Sequence, residues 1–183
     1  MNNIFAIFNL HILHMQLSVL HYEIIIVSLW LIFCVMLTQL SSDEQYMLLA
    51  LHEAELAAAE GEVPVGCVVV CNNRVVGRGH NLTETLQDVT AHAEIQAITA
   101  AAETLGAKYL VDCCMYVTVE PCVMCAGAIG WSQIRRLVYG ASDEKRGYKS
   151  YAPRALHPKC EVVEGVLEDK CRELMKTFFS QHR

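Results

Sequence analysis

The tightest constraint on this chain is a small group of residues that cannot do their chemistry apart. Cys122 and Cys125 stand three apart in Pro121-Cys122-Val123-Met124-Cys125, and His92 precedes them by thirty residues in His92-Ala93-Glu94. On one turn of helix, cysteines at i and i+3 share a face, so both thiolates can reach a single metal ion. A helix N-terminus adds positive partial charge that favours the thiolates. Each triplet opens a segment of helical pattern, so a fold that uses them together must bring two helix starts side by side.

His92, Cys122 and Cys125 make three ligands, and three is the count of a catalytic zinc, which keeps a fourth position for water. His80 and His157 are available by composition as a fourth ligand, but neither shares a local motif with the cluster. Zinc lowers the pKa of its water to about 7. Glu94, two residues past His92, is placed to move that water's protons without ligating the metal. Each part has a plain alternative. A lone Cys-x-x-Cys reads equally as a redox pair, and a lone His-x-Glu carries no signal. In this order and spacing the two together point to a hydrolytic zinc site.

The pattern around these motifs reads as alternating helix and strand. Ser42 or Asp43 caps a helix with a stripe of Met47, Leu48, Leu51, Ala54 and Ala58, ended by Gly61. Strands follow at 65–70 and 74–79, joined by the Asn72-Asn73 turn as a hairpin. Thr90 caps a helix from about 91 to 104, and Pro121 suits the first turn of another that runs to Trp131. Further strands are expected at 115–119, 136–139 and 161–166, with a last amphipathic helix from 167 to about 179. This is an α/β layered domain with helices on both faces of a mixed sheet.

Composition sharpens the boundaries. Ile24 to Leu37 is a fourteen-residue run, apolar at all but one position, short of the roughly 17–25 residues a membrane span needs. A membrane anchor, a buried helix and an upstream start are the three readings of residues 1–40. The last is preferred, with translation beginning near Met36 and the native domain covering 41–183. The net charge of −6 argues against generic nucleic-acid binding, yet residues 135–183 hold eleven of the fourteen lysines and arginines, so a local positive face is available. Nine cysteines without regular spacing do not make a disulfide scaffold. Cys67, Cys71, Cys113 and Cys114 read as reduced core thiols in a cytoplasmic protein.

With Glu62-Val-Pro-Val-Gly66, Thr90-Ala-His-Ala-Glu94 and Tyr116 through Ala128, the chain resembles the cytidine-deaminase-like superfamily, and within it the bacterial tRNA-specific adenosine deaminases. The order His-x-Glu then Pro-Cys-x-x-Cys is the known signature of zinc nucleobase deaminases, these enzymes among them. The resemblance covers roughly 43–183. It implies a three-layer α/β/α sandwich with a mixed five-stranded sheet, one zinc per subunit on His92, Cys122 and Cys125, Glu94 as the catalytic glutamate, and a homodimer. It also implies Asn81, Val63 and Pro64 at the base pocket. Asp143, Lys145 and the last helix with Phe178-Phe179 then approach a tRNA anticodon stem-loop. Gly130-Trp131 departs from the Ile-His of many relatives.

Three functions follow from these residues. The leading one is deamination of adenosine to inosine at a tRNA wobble position. A deaminase of free bases or nucleosides shares the zinc site and differs outside it. A zinc-stabilised binding module needs no Glu94.

Overall fold

The computed structural model describes residues 25–28 and 41–181. The chain divides between Ser41 and Ser42. In the first unit residues 25–28 form one turn of helix with Ile25, Ile26 and Val27 exposed. The remaining expectations for residues 1–40 lie outside the described residues.

The second unit opens with α1 (Ser42–Ala59), followed by β1 (Gly66–Cys71) and β2 (Arg74–His80). Next come α2 (Ala93–Leu105), β3 (Cys113–Val119), α3 (Val123–Trp131) and β4 (Arg136–Ala141). A single turn α4 (Tyr148–Tyr151), β5 (Glu161–Glu164) and α5 (Glu168–Gln181) complete it. The five strands form one sheet in the order β2-β1-β3-β4-β5. β1 runs antiparallel to β2 and β3, while β3, β4 and β5 are parallel, so the sheet is mixed as expected. Asn72 and Asn73 both have left-handed φ angles, 49° and 60°, the conformation that a two-residue hairpin turn requires.

Alternation along the strands separates two apolar layers. Val68, Val70, Tyr116 and Val138 face Met47, Ala50 and Leu51 of α1 and Cys171 of α5. Val69, Met115, Val117, Leu137 and Tyr139 face Ala93, Ala97 and Ala101 of α2 and Ile129 of α3. This is the expected α/β/α arrangement. The α1 stripe is rotated from its sequence reading: Ala50 and Ala57 are buried, whereas Leu48 and Ala58 are only partly so. The cause is Gly66, where a Cβ would overlap the α1 backbone at Ala50 and Ala54. Small residues must face so close an approach.

The same device seats α2. A Cβ on Gly77 would strike the backbone at Ala97, and one on Gly79 would lie 2.5 Å from the Ala93 carbonyl. The alanines at 93, 97 and 101 let the helix settle onto β2, which fixes the level of its first turn. At the other end of the unit, Asp43 accepts two hydrogen bonds from the Arg136 guanidinium, at 2.7 and 2.8 Å, and one from the Tyr116 hydroxyl at 3.0 Å. Asp43 therefore ties α1 to β3 and β4 and sits inside the helix, which starts one residue earlier, at Ser42.

Two further helix starts differ from expectation. Thr90 caps nothing: its hydroxyl donates to Asp88, and α2 begins only at Ala93. Pro121 precedes α3 by two residues and lies in the link between β3 and α3.

Candidate metal centre

His92 and Cys122 each occupy the residue just before a helix, with extended backbone angles of −72°/155° and −71°/172°. A side chain there usually accepts from a helix N–H. Neither does so, and both turn instead to a common point. His92 Nδ1 stands 3.6 Å from Cys122 Sγ and 3.5 Å from Cys125 Sγ. Zinc bonds of about 2.05 Å to nitrogen and 2.3 Å to sulfur, at a tetrahedral angle, separate the two atoms by about 3.6 Å. The donor set and its spacing both fit zinc. Among the described residues these three form the only group of His, Cys, Asp or Glu able to hold a metal.

The candidate fourth ligands lie elsewhere. His80 is bracketed by Glu53 at 3.3 Å and Glu60 at 3.4 Å, and His157 Nδ1 accepts from the Lys159 N–H. Three protein ligands leave the coordination open.

Electrostatics favour a cation. Cys122 is held down to about 4 by its hydrogen bond with Cys125 and then by His92. The same bond with Cys122, joined by burial, keeps the proton on Cys125. The hydrogen bond with Cys122 raises His92. Glu94 is 3% exposed, and burial raises its carboxyl, with Cys122 charge adding to the effect. Its carboxyl also hydrogen-bonds with Cys125, so it lies beside the ligands without joining them. A buried carboxyl with a raised pKa suits a proton carrier.

Asn81 follows β2 directly and is buried. The Leu82 N–H donates to the Ala91 carbonyl at 2.9 Å, joining the residue after Asn81 to the residue before His92. Its Nδ2 donates to Glu62 Oε2 at 2.9 Å and to Thr83 Oγ1 at 3.0 Å. Glu62 is fully buried and also accepts from the Thr85 N–H at 2.7 Å. Burial alone lifts such a carboxyl, but hydrogen bonds from the backbone of Thr85 and Glu84 and from the Thr85 and Thr83 hydroxyls hold it below its ordinary value. Val63 and Pro64 lie between Glu62 and β1, Pro64 buried and Val63 partly so, in a tight turn closed from Val65 N–H to Val63 O at 2.7 Å.

The remaining expected residues are more dispersed. Lys145 is exposed, and Asp143 Oδ1 accepts from the N–H groups of Lys145 and Arg146 at 2.9 and 3.0 Å. Lys149 is paired with Glu164 at 2.7 Å. Phe178 is buried and Phe179 half-exposed, their rings meeting edge to face at 5.5 Å. Sequence reasoning missed the work of two carboxylates, Glu62 and Glu120. Both are acidic residues flanking apolar strands, which is the signal that was available.

The family described as the cytidine and deoxycytidylate deaminase zinc-binding region matches residues 40–141. The tRNA-specific adenosine deaminase of Bacillus subtilis (strain 168) is 42% identical over 149 residues, covering 79% of this chain and 92% of that protein. That of Agrobacterium fabrum is 43% identical over 143 residues, covering 75% and 94%. A solved structure from work on A-to-I editing by tRNA:A34 deaminases at the wobble position superposes with a TM-score of 0.67 at 44% identity, covering 71% of this chain and 98% of that one. The guanine deaminase of Nitrosomonas europaea gives a TM-score of 0.69 at 25% identity, covering 77% and 86%.

Proposed function

The chain belongs to the cytidine and deoxycytidylate deaminase zinc-binding family and is a zinc-dependent hydrolytic deaminase, and from that membership we propose that it converts adenosine to inosine at the wobble position of a tRNA anticodon. The observation that carries the chemistry is the set His92, Cys122 and Cys125 at zinc spacing with the non-ligating, buried Glu94 beside it. The likeness to tRNA-specific adenosine deaminases carries the substrate.

His92, Cys122 and Cys125 would hold zinc, which when bound would supply the Lewis acidity that makes water a nucleophile near neutral pH. Glu94 takes one proton from the water and delivers it to N1 of adenine as the oxygen bonds to C6, then carries the remaining proton from the C6 hydroxyl to the amine, so that ammonia departs and C6 becomes a carbonyl. Asn81, held by Glu62 and Thr83, orients the nucleoside, with Val63 and Pro64 lining the base. The base must leave its stack to enter, which a single-stranded anticodon loop permits at modest cost. Asp143 shapes the loop that offers Lys145 and Arg146 to phosphates, and α5 with Phe178 and Phe179 approaches from the carboxyl end. Arg183, another candidate phosphate ligand, lies outside the described residues.

Residues 41–183 constitute the deaminase domain, with 1–40 a leader outside it. The protein works as a homodimer: α3 leaves Val123, Met124 and Trp131 exposed, the last at 85%, an apolar face suited to a second copy. Among the described residues no helix is long and apolar enough to cross a membrane, and the free cysteines suit a reducing cytoplasm.

A free-purine deaminase is the second reading, favoured by the likeness to the guanine deaminase. Ammonia release decides between them. The purified protein is offered an anticodon stem-loop bearing a wobble adenosine, beside free adenosine, guanine and cytosine. Turnover of the stem-loop is expected, and turnover of free bases alone overturns the tRNA assignment.

A further inference from the structure

The loop that follows β4 is fastened to the metal-binding segment by a buried carboxylate. Glu120, the residue before Pro121, is 7% exposed. Its Oε2 accepts from the Asp143 N–H and its Oε1 from the Lys149 N–H, each at 3.1 Å. One side chain thus holds both ends of the loop 143–149. Two backbone contacts join the same surfaces: Tyr148 N–H donates to Pro121 O at 2.9 Å, and Gly147 pairs with Cys122 in an isolated antiparallel bridge.

Gly147 marks how close this contact is. Its backbone angles, −60° and 142°, are open to any residue, so conformation does not demand glycine. Space does. A Cβ would overlap the Glu120 carboxylate and lie 2.5 Å from the Asp143 carbonyl. Between the two clamped ends, Asp143 Oδ1 takes the N–H groups of Lys145 and Arg146, and their side chains are left exposed. The loop is therefore a preformed platform carrying two cations, bolted to the strand end that supplies Cys122.

We propose that Glu120 and Gly147 form a latch that fixes Lys145 and Arg146 at a set position relative to the metal site, making Glu120 a positioning residue for the phosphates of a bound RNA. This rests on the tRNA reading above. A nucleic-acid backbone is recognised by cations at defined spacing, and a floating loop would lose part of its binding energy to ordering. The latch sets the distance from backbone phosphate to reacting base in advance.

The test compares wild type, Glu120→Gln, Gly147→Ala, Lys145→Ala/Arg146→Ala and the triple variant Glu120→Gln/Lys145→Ala/Arg146→Ala. Glutamine keeps the shape but offers one acceptor oxygen, so one loop N–H meets an NH₂ group. Binding of an anticodon stem-loop is measured against salt, with zinc content per chain determined in parallel. Glu120→Gln, by losing one buried, charge-assisted hydrogen bond, and Gly147→Ala, by displacing the same carboxylate, should each weaken binding about tenfold. Zinc content should stay unchanged. The slope of log K against log salt should fall toward that of the double variant, a reduction of about 1.4 for two cations at roughly 0.7 each. The triple variant should bind no more weakly than the double.

Wild-type affinity and slope in both Glu120→Gln and Gly147→Ala overturn the latch, as does loss of zinc from Glu120→Gln or additive loss in the triple. Failure of the wild type itself to bind or deaminate the stem-loop overturns the tRNA reading, and the latch with it.

Discussion

Asn81 Nδ2 lies 2.9 Å from Glu62 Oε2, an amide at the end of β2 held by a carboxylate that has no exposure to solvent. The carboxylate can only accept, so it fixes which end of the amide faces it. Glu62→Gln should free that orientation, because an amide facing an amide is satisfied either way round. We expect kcat/KM to fall about 10- to 100-fold, the usual worth of a buried hydrogen bond to a charged group. Zinc content should hold. Loss of zinc in Glu62→Gln would show that the carboxylate serves the metal ligands instead.

Glu94→Ala separates catalysis from metal binding. Zinc retention with a 10²- to 10⁴-fold drop in ammonia release is the expected result, the range typical of a general acid–base residue. His92→Ala should instead lose the metal, as should Cys125→Ala. Chelation of the wild type should abolish turnover, and added zinc should restore it. Retained activity in Glu94→Ala rules out its proton-carrying role.

Acid sensitivity should pass through Asp43. The Arg136 guanidinium beside it, and then the Tyr116 hydroxyl, hold the Asp43 carboxyl below its ordinary 3.8. A carboxyl depressed in the fold adds stability that is fully present above 3.8 and lost as pH falls through the lower, folded value. Asp43→Asn should therefore cost about 1–2 kcal/mol at pH 7, as for a partly buried ion pair. Its deficit relative to wild type should narrow below pH 4. Denaturant unfolding across pH 2–7 measures this, and a deficit constant with pH refutes it.

Gly79→Ala tests the seating of α2. The added methyl meets the Ala93 carbonyl and must lift the helix start, one residue from His92. A loss of about 1–3 kcal/mol is expected from overpacking, accompanied by weaker zinc retention. Stability loss with normal zinc affinity would mean that the metal centre adjusts independently of the helix.

The α3 face gives a solution test. Trp131→Glu places a charge at the most exposed apolar side chain of the helix that also exposes Val123 and Met124. Light scattering should find dimers for wild type and monomers for Trp131→Glu. A monomeric wild type would remove the homodimer.

Much of this was legible in one dimension. The metal ligands and Glu94 announce themselves because coordination chemistry restricts residue type and spacing together, and helical and strand periods carry the layer order. Thr90, Pro121 and the Ser42 or Asp43 cap were misplaced as helix starts, since caps depend on where a side chain is pulled. Thr90 is drawn to Asp88, and His92 and Cys122 spend their positions on each other.

By itself the sequence indicated the layered α/β domain, the grouping of His92, Cys122 and Cys125, and Glu94 as the proposed proton carrier, all of which rest on residue type and spacing. What holds Asn81 and the 143–149 loop was decided by the tertiary structure alone. Glu62 reaches Asn81 across nineteen residues, and Glu120 reaches Asp143 and Lys149 across twenty-three and twenty-nine. A carboxylate buried at such a distance has no periodic signature, because its partners exist only once the sheet has brought them together.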